Sequence, residues 1–343
     1  MGQEYPSRKV NVQAHRSPDT SRGPKSAAPT SASQEPDIPL VSVIIPTYNR
    51  AAYIADAIRS VQAQTYAKVQ IIVADDGSTD DTAAVVSEFG DSVAYLRLAH
   101  RGQPAATRNS GLSKATGDFI AFLDSDDLFL PGRLAKQVSA LAEHGDAGLA
   151  YSDGYFFRED PETPTGHVLD GMPTPTGDAL ADLLRGNFLT SPVVLIRRSC
   201  LDSVGLFDER PEFFAVEDYD LWLRIAARFP FIHVPGDVAA IRRHGGSISR
   251  DVAALRMGTL RVLAKLETTH PQLVRQYRPA LHEGYARNHG AIAAALLEER
   301  RFVPAVRHAM YAFTYGLRTA GLGTVAFRAW IRRRGVRGTG ARP

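Results

Sequence analysis

The chain has 343 residues, 44% hydrophobic and 22% charged, a balance that belongs to a folded protein and excludes a wholly disordered one. Its one cysteine, Cys200, rules out an internal disulfide, and no zinc-type Cys/His spacing occurs, so the fold rests on packing and suits a reducing compartment such as the cytosol. Net charge is +3 and the pI about 9.0, with the excess concentrated at one end: no acidic residue follows Glu299, while arginines continue to Arg342. Such an end suits an anionic surface, phospholipid headgroups in the first place or, on charge alone, nucleic acid, or is simply solvated. The start "MGQEYPSRKVNVQ" lacks the apolar segment of a secretory signal, and no run approaches the roughly 18 apolar residues of a membrane span.

Residues 1–37 mix Ser, Pro, Ala, Thr and charges without periodicity and read as a disordered leader, since they bury too little to offset the entropy of ordering. Order begins at "LVSVIIP", an apolar run with the composition of a strand buried on both faces and ended by Pro46. "AAYIADAIRSVQAQTY" places Ile54, Ile58 and Val61 at helical spacing. "VQIIVADDGSTDDTAAVVSEF" predicts a second strand, a polar turn and a helix entered through Ser78 or Thr79. "SVAYLRL" is a third strand, "QPAATRNSGLSKATG" a helix from Pro104 to about Gly117, and "DFIAFLDSDD" a fourth strand. Strands alternating with helices predict an α/β fold with a mostly parallel twisted sheet, in which ligands bind beyond the carboxyl ends of the strands. Both Asp-rich segments fall there.

After about residue 150 the pattern loosens into a short strand and a long Pro/Gly/Thr loop, then "SPVVLIRRSCLDSVGLFDE" as strand and turn. "VEDYDLWLRIAARF" predicts an amphipathic helix with Leu221, Ile225 and Phe229 on one face, and "FIHVPGDVAAIRRHGGSISR" a closing strand pair. From about residue 251 the periodicity is helical. The division expected is a leader over 1–37, an α/β domain over 38–250, and a helical extension with a basic tail over 251–343.

Three segments suggest chemistry. In "FLDSDD", Asp124 and Asp126 would share one side of a regular strand and could meet a hard divalent cation just beyond its end, or they are turn and cap aspartates. In "ADDGSTDDT", Asp76 could accept hydrogen bonds from a base or ribose, although Asp-Asp-Gly-Ser is also ordinary turn chemistry. In "PTYNR", Tyr48 could stack on a nucleobase while Asn49 and Arg50 stay near phosphate, or Tyr48 is edge core in a strand-to-helix turn.

Taken together in chain order, "VSVIIPTYNRAAYIADAIRSVQAQTY", "IIVADDGSTDDT", "RGQPAATRNSGLSKATGDFIAFLDSDDLFLPGRL", "VEDYDLWLR" and "RRHGGSIS" resemble the family 2 glycosyltransferases, inverting enzymes of the GT-A fold. The resemblance spans about residues 38–250. It implies a divalent cation, Mg or Mn, held by Asp126 and His244. It implies a nucleotide-sugar donor, a UDP-sugar by preference, bound by Pro46, Tyr48, Asp76, Arg108, Asp124, Glu217, Arg242 and His244, with Ser249 in support. Asp218 would be the general base that deprotonates an acceptor hydroxyl, and Asp127 a structural third acid. The acceptor would be a carbohydrate or lipid-linked sugar in cell-envelope polysaccharide or glycolipid synthesis, with the enzyme cytoplasmic or peripheral at the inner face of the membrane. Nucleic acid is not expected as a partner. The segment from Ala326 to Arg334 is the expected membrane contact, whereas residues 251 to about 315 are expected to pack on the catalytic domain. Two other classes remain open: a nucleotidyltransferase, which usually shows a Gly-rich basic loop that "PTYNRAAY" lacks, and a non-catalytic sugar-nucleotide binding module.

Overall fold

β1 (Val41–Thr47) is the centre from which the sheet grows. Alternate side chains point to opposite faces, so Val41, Val43 and Ile45 enter one core and Ile44 the other. All four are fully buried, and each contributes about 1.5–3 kcal/mol relative to exposure. The computed structural model describes residues 38–243 and 251–318; the leader, His244, Ser249 and the membrane contact expected at Ala326 to Arg334 lie outside the described residues.

The chain continues through α1 (Ile54–Gln62), β2 (Val69–Asp75), α2 (Thr82–Ser87), β3 (Val93–Arg97), α3 (Pro104–Leu112) and β4 (Phe119–Phe122). These strands pair in parallel in the order β3-β2-β1-β4, as the alternation with helices predicts. α2 starts later than expected. Asp81, not Ser78 or Thr79, stands at its N-cap, because the Ser78 hydroxyl is bonded to Asp75 Oδ1 at 2.6 Å within the preceding turn. α3 likewise stops short of Gly117, whose missing Cβ lets the chain run against β1; a Cβ there would lie 2.6 Å from Ser42 N.

The second half begins with β5 (Leu128–Phe129), α4 (Arg133–Glu143), β6 (Leu149–Phe157), β7 (Gly166–His167) and α5 (Leu180–Arg185), followed by β8 (Val194–Arg197) and α6 (Arg198–Val204). α7 (Glu217–Ala226) and β9 (Phe231–Arg242) complete it. β8 is antiparallel to both β4 and β6, so β6 again runs with β4, and β9 is parallel to β6. The sheet is therefore mixed, and the ends of β1, β2, β4, β6 and β9 lie along one edge. The expected closing strand pair is one twelve-residue strand, β9, in which Gly236 takes φ +101°. α7 ends at Ala226, so Phe229 packs on the core from beyond the helix rather than from its face.

Four helices follow: α8 (Val252–Thr269), α9 (Pro271–Gln276), α10 (Arg278–Glu298) and α11 (Phe302–Arg318). Asp251 caps α8 by accepting from Ala254 N at 2.8 Å. α10 lies against α5 so closely that a Cβ on Gly284 would sit 2.0 Å from the Leu184 carbonyl oxygen, and Arg185 Nε bonds Glu283 Oε2 at 2.9 Å across the same contact. α8 reaches the start of α7, where a Cβ on Gly258 would meet Val216 at 3.0 Å. Through Val216, the helical extension braces the entry to α7. No helix among the described residues is long and apolar enough to cross a membrane.

Candidate active site

The loop after β1 and the turn after β2 are bolted together by side-chain-to-backbone bonds. Asn49, at φ +51°, accepts from Thr79 N at 2.8 Å through Oδ1, while its own N–H donates to Ser78 Oγ at 2.8 Å. Asn tolerates the left-handed region better than most residues, which fits "PTYN" to this turn. The two aspartates of "ADDGS" then divide. Asp75 is fully buried and accepts from Ser78 N, Ser78 Oγ and the Tyr95 hydroxyl, so it holds the turn. Asp76 reaches the loop after β3: its Oδ1 accepts from Arg101 N at 2.9 Å and its Oδ2 from Gly102 N at 2.8 Å. His100 Nδ1 lies 2.9 Å from that same Oδ2, and the His100 ring stacks on Tyr48 at 4.1 Å and 16°. Tyr48 remains 39% exposed. Pro46 lies in β1 opposite Ala74, directly behind this loop.

A second group gathers around Arg108 on α3. β4 ends at Phe122, and residues 124–127 form a turn closed by Asp127 N donating to the Asp124 carbonyl at 2.9 Å, so Asp124 and Asp126 belong to a turn and not to the strand. Arg108 Nη2 bonds Asp124 Oδ1 at 2.9 Å, and Arg108 Nη1 bonds Glu217 Oε1 at 2.5 Å. One guanidinium thus joins the Asp-x-Asp turn to the first residue of α7. Burial alone would lower the Arg108 pKa, but the carboxylates of Asp124, Glu217 and Asp218 outweigh it and keep the group charged. Glu217 Oε2 and Arg108 Nε are buried with no hydrogen-bond partner among the described residues.

Asp218 sits beside this pair, half-buried, with Oδ1 accepting from Tyr219 N at 2.6 Å. Burial pushes its carboxyl up to about 7, the charge of Glu217 adds to the rise, and Arg108 opposes it. The approach to α7 is strained: Ala215, two residues ahead of Glu217, has φ +65°, which a residue with a Cβ rarely adopts. At the other side of α7, Lys265 Nζ of α8 bonds Asp220 Oδ1 at 2.6 Å and Asp208 Oδ2 at 2.8 Å, fixing the helix from behind.

The third group closes the edge. Asp127 is buried and its Oδ1 accepts from Arg242 N at 2.8 Å. Burial, with the charges of Asp124 and Asp126, holds the Asp127 carboxyl well above its ordinary range. The Arg242 guanidinium bonds the Asp126 carbonyl at 3.1 Å and lies over the rings of Tyr53 and Phe157, at 5.0 and 4.5 Å. Asp126 Oδ2 faces Arg50 Nε at 3.6 Å. Carboxylate oxygens are the ligand type that a hard divalent cation takes, and in this turn Asp124, Asp126 and Asp127 are engaged by Arg108, Arg50 and the backbone of Arg242. A separate set, Asp153, His167 and Asp237, brings three possible ligand atoms within 4.8 Å of one another on β6, β7 and β9.

Of the residues singled out in the sequence, Arg108, Asp124, Glu217 and Asp218 come together directly. Arg242 and Asp126 adjoin them through the turn, and Tyr48 and Asp76 form a neighbouring group with His100. His244 lies outside the described residues. Sequence reasoning missed His100, Ala215 and Lys265. His100 had a usable signal, its place just ahead of Gly102 in "LAHRGQP", whereas nothing local marks Ala215 or Lys265.

Fold and motif order define a glycosyltransferase of the GT-A class. Residues 42–205 match the model of glycosyl transferase family 2, and the chain belongs to that family. It is 33% identical over 187 residues to the UDP-Glc:alpha-D-GlcNAc-diphosphoundecaprenol beta-1,3-glucosyltransferase WfgD of Escherichia coli, covering 54% of this chain and 69% of that protein. An uncharacterized glycosyltransferase of Rickettsia typhi is 32% identical over 196 residues, 54% of this chain and 58% of its own length. The match thus spans little more than half of that relative. Among solved structures, Staphylococcus aureus TarS in complex with UDP-GlcNAc aligns with a TM-score of 0.55 at 17% identity, over 84% of this chain and 92% of that one. The mannosyltransferase PcManGT of Pyrobaculum calidifontis, in complex with GDP-Man and Mn2+, aligns at 0.57 and 21%, over 85% and 83%. These two show the shared fold.

Proposed function

We propose that the chain transfers a sugar from a nucleoside-diphosphate sugar, a UDP-sugar by preference, to a hydroxyl of a lipid-linked acceptor in cell-envelope polysaccharide or glycolipid synthesis. Residues 38–250 form the catalytic domain, working on the cytoplasmic side of the membrane, and the helices α8 to α11 extend it. Tyr48 stacks on the base with Pro46 behind it, and Asp76 accepts a base or ribose hydrogen bond. Arg108, Asp124 and Glu217 orient the sugar and ribose, and Arg242 keeps the acidic turn in register. A Mg or Mn ion held by Asp126 and His244 would supply positive charge beside the diphosphate when bound. Asp218 takes the proton of the acceptor hydroxyl as that oxygen bonds to the anomeric carbon and the bond to the diphosphate oxygen breaks. Attack from the face opposite the leaving group inverts the anomeric configuration, and no covalent enzyme intermediate forms.

The observation that carries this reading is Asp218, with its carboxyl raised to about 7, joined through Glu217 and Arg108 to the Asp-x-Asp turn. A base at that value is about half ionised at neutral pH and basic enough to accept a proton. A UDP-sugar donor and an undecaprenol-linked acceptor are supported by the similarity to WfgD, which takes UDP-Glc and a diphosphoundecaprenol-linked sugar. The test is a screen of nucleotide-sugars with an undecaprenyl-diphosphate-linked sugar. Release of nucleoside diphosphate with a glycosylated lipid product supports transfer. Pyrophosphate formed from a nucleoside triphosphate and a sugar phosphate would replace it with a nucleotidyltransferase, and binding without turnover with a sugar-nucleotide binding module.

A further inference from the structure

α11 buries one face and leaves another bare. Ala305 and His308 are buried, His308 Nδ1 lies 2.9 Å from His289 Nδ1 on α10, and Tyr315 stacks on Tyr285 at 4.8 Å, so the inner face and the rotation of the helix are fixed. On the outer side stand Val303, Val306, Met310, Phe313 and Leu317, exposed by 85, 57, 66, 66 and 67%. At 3.6 residues per turn these five fall within an arc of about 80°, a continuous apolar ridge along the whole helix. Exposed apolar residues are ordinary when scattered, but an unbroken ridge on a helix marks a contact surface.

Charge selects the occupant. From Arg300 to the end of the sequence there is no Asp or Glu; Arg301 is already paired with Glu299 at 3.1 Å, while Arg300, Arg307 and Arg318 lie in or beside α11 and the arginines continue to Arg342. The spacing of the ridge, alternately three and four residues, would also suit a second helix. Two copies of α11 laid together would nevertheless face arginine with arginine and offer no carboxylate to pair them, which disfavours self-association. An anionic lipid surface answers both features: the ridge enters the headgroup boundary while the long arginine side chains keep their charge at phosphate level.

We propose that α11 is a docking helix that lays the Val303-to-Leu317 ridge on an anionic phospholipid surface. The inference does not depend on the reaction catalysed. It adds to the segment expected at Ala326 to Arg334 a helix that packs on α10, so docking would fix the orientation of the protein and not merely tether it. Two forces act, apolar burial and charge, and neither alone gives firm attachment to a bilayer.

The test is flotation of the full chain with vesicles of phosphatidylglycerol and phosphatidylcholine, against vesicles of phosphatidylcholine alone. Met310→Gln with Phe313→Gln removes the centre of the ridge without altering net charge, and both positions are exposed, so the melting temperature should stay within about 2 °C. Wild type should float with the anionic vesicles, release as salt is raised, and ignore the neutral ones. The double variant should partition at least tenfold more weakly. Equal flotation of variant and wild type would overturn the proposal by assigning binding to the basic tail alone, and failure of the wild type to float would overturn it outright. A wild-type dimer that the double variant converts to monomer, with neither floating, would assign the ridge to self-pairing.

Discussion

Arg108 Nη1 lies 2.5 Å from Glu217 Oε1, and through its other nitrogen the same guanidinium holds Asp124 at 2.9 Å, so residues 109 positions apart in the chain share one buried charge. Truncating Arg108 would leave the Glu217 carboxylate buried without a counter-ion. Arg108→Ala should destabilise the protein by about 3–5 kcal/mol, whereas Arg108→Ala combined with Glu217→Gln should recover much of that loss. Urea unfolding of the single and double variants measures both.

Asp218→Asn should lower kcat by about 10²–10⁴-fold while donor affinity stays within a factor of two or so, since the base acts on the acceptor. In the wild type, kcat/KM should rise about tenfold per pH unit up to the Asp218 value of about 7 and level off above it. The sign on stability is opposite. The folded-state value lies above the ordinary 3.8, so the fold favours the protonated carboxyl and loses stability as pH rises from 4 to 7. Asp218→Asn should accordingly melt above wild type at pH 8 and level with it at pH 4, as scanning calorimetry would show.

Asp126→Asn should remove metal-dependent donor binding, and treatment with EDTA should do the same to wild type. Calorimetric titration of UDP with and without Mn2+ reads both directly. Unchanged metal dependence in Asp126→Asn would move the cation to other ligands.

Tyr48→Ala should weaken donor binding by about 1–3 kcal/mol, roughly 5- to 150-fold, if the ring carries a nucleobase. Tyr48→Phe should bind nearly as wild type, because stacking needs the ring and not the hydroxyl. UDP titration reads the affinities, and urea unfolding of Tyr48→Ala separates nucleobase stacking, which leaves stability unchanged, from packing on His100, which lowers it.

Gly77 has φ +78°, and a Cβ there would lie 2.9 Å from His100 N and 3.1 Å from Leu98 O. Gly77→Ala should cost at least about 1–2 kcal/mol in backbone strain and displace the loop that meets Asp76. Its urea midpoint should fall, and donor affinity with it.

β1, β2 and β4 were legible because strands buried on both faces read as unbroken apolar runs, as "LVSVIIP" and "VQIIVAD" do, whereas β3, at the sheet edge with Ala94 and Arg97 exposed, was legible from its apolar and aromatic residues. The loop segments around Tyr48, Asp76 and Asp124 were legible because they directly follow β1, β2 and β4. The single long β9 was not, since Pro235 and Gly236 mimic a chain reversal when only neighbours are considered. The late start of α2 was hidden differently: Ser78 has the chemistry of a cap, but its hydroxyl donates to Asp75 within the turn and accepts from Asn49 N, and the second bond joins segments distant in the chain.

Local pattern and chain order were enough for the alternating α/β plan and for the edge at which the acidic segments sit, and the motifs in that order carried the resemblance that implies the reaction class. How those segments meet is a property of the folded chain. Folding placed Arg108 between Asp124 and Glu217, raised the Asp218 carboxyl by desolvation, gave Asp127 to the backbone of Arg242, and turned the apolar side of α11 outward. Each of these depends on burial or on contact between distant residues, and neither quantity is encoded in any short stretch of chain.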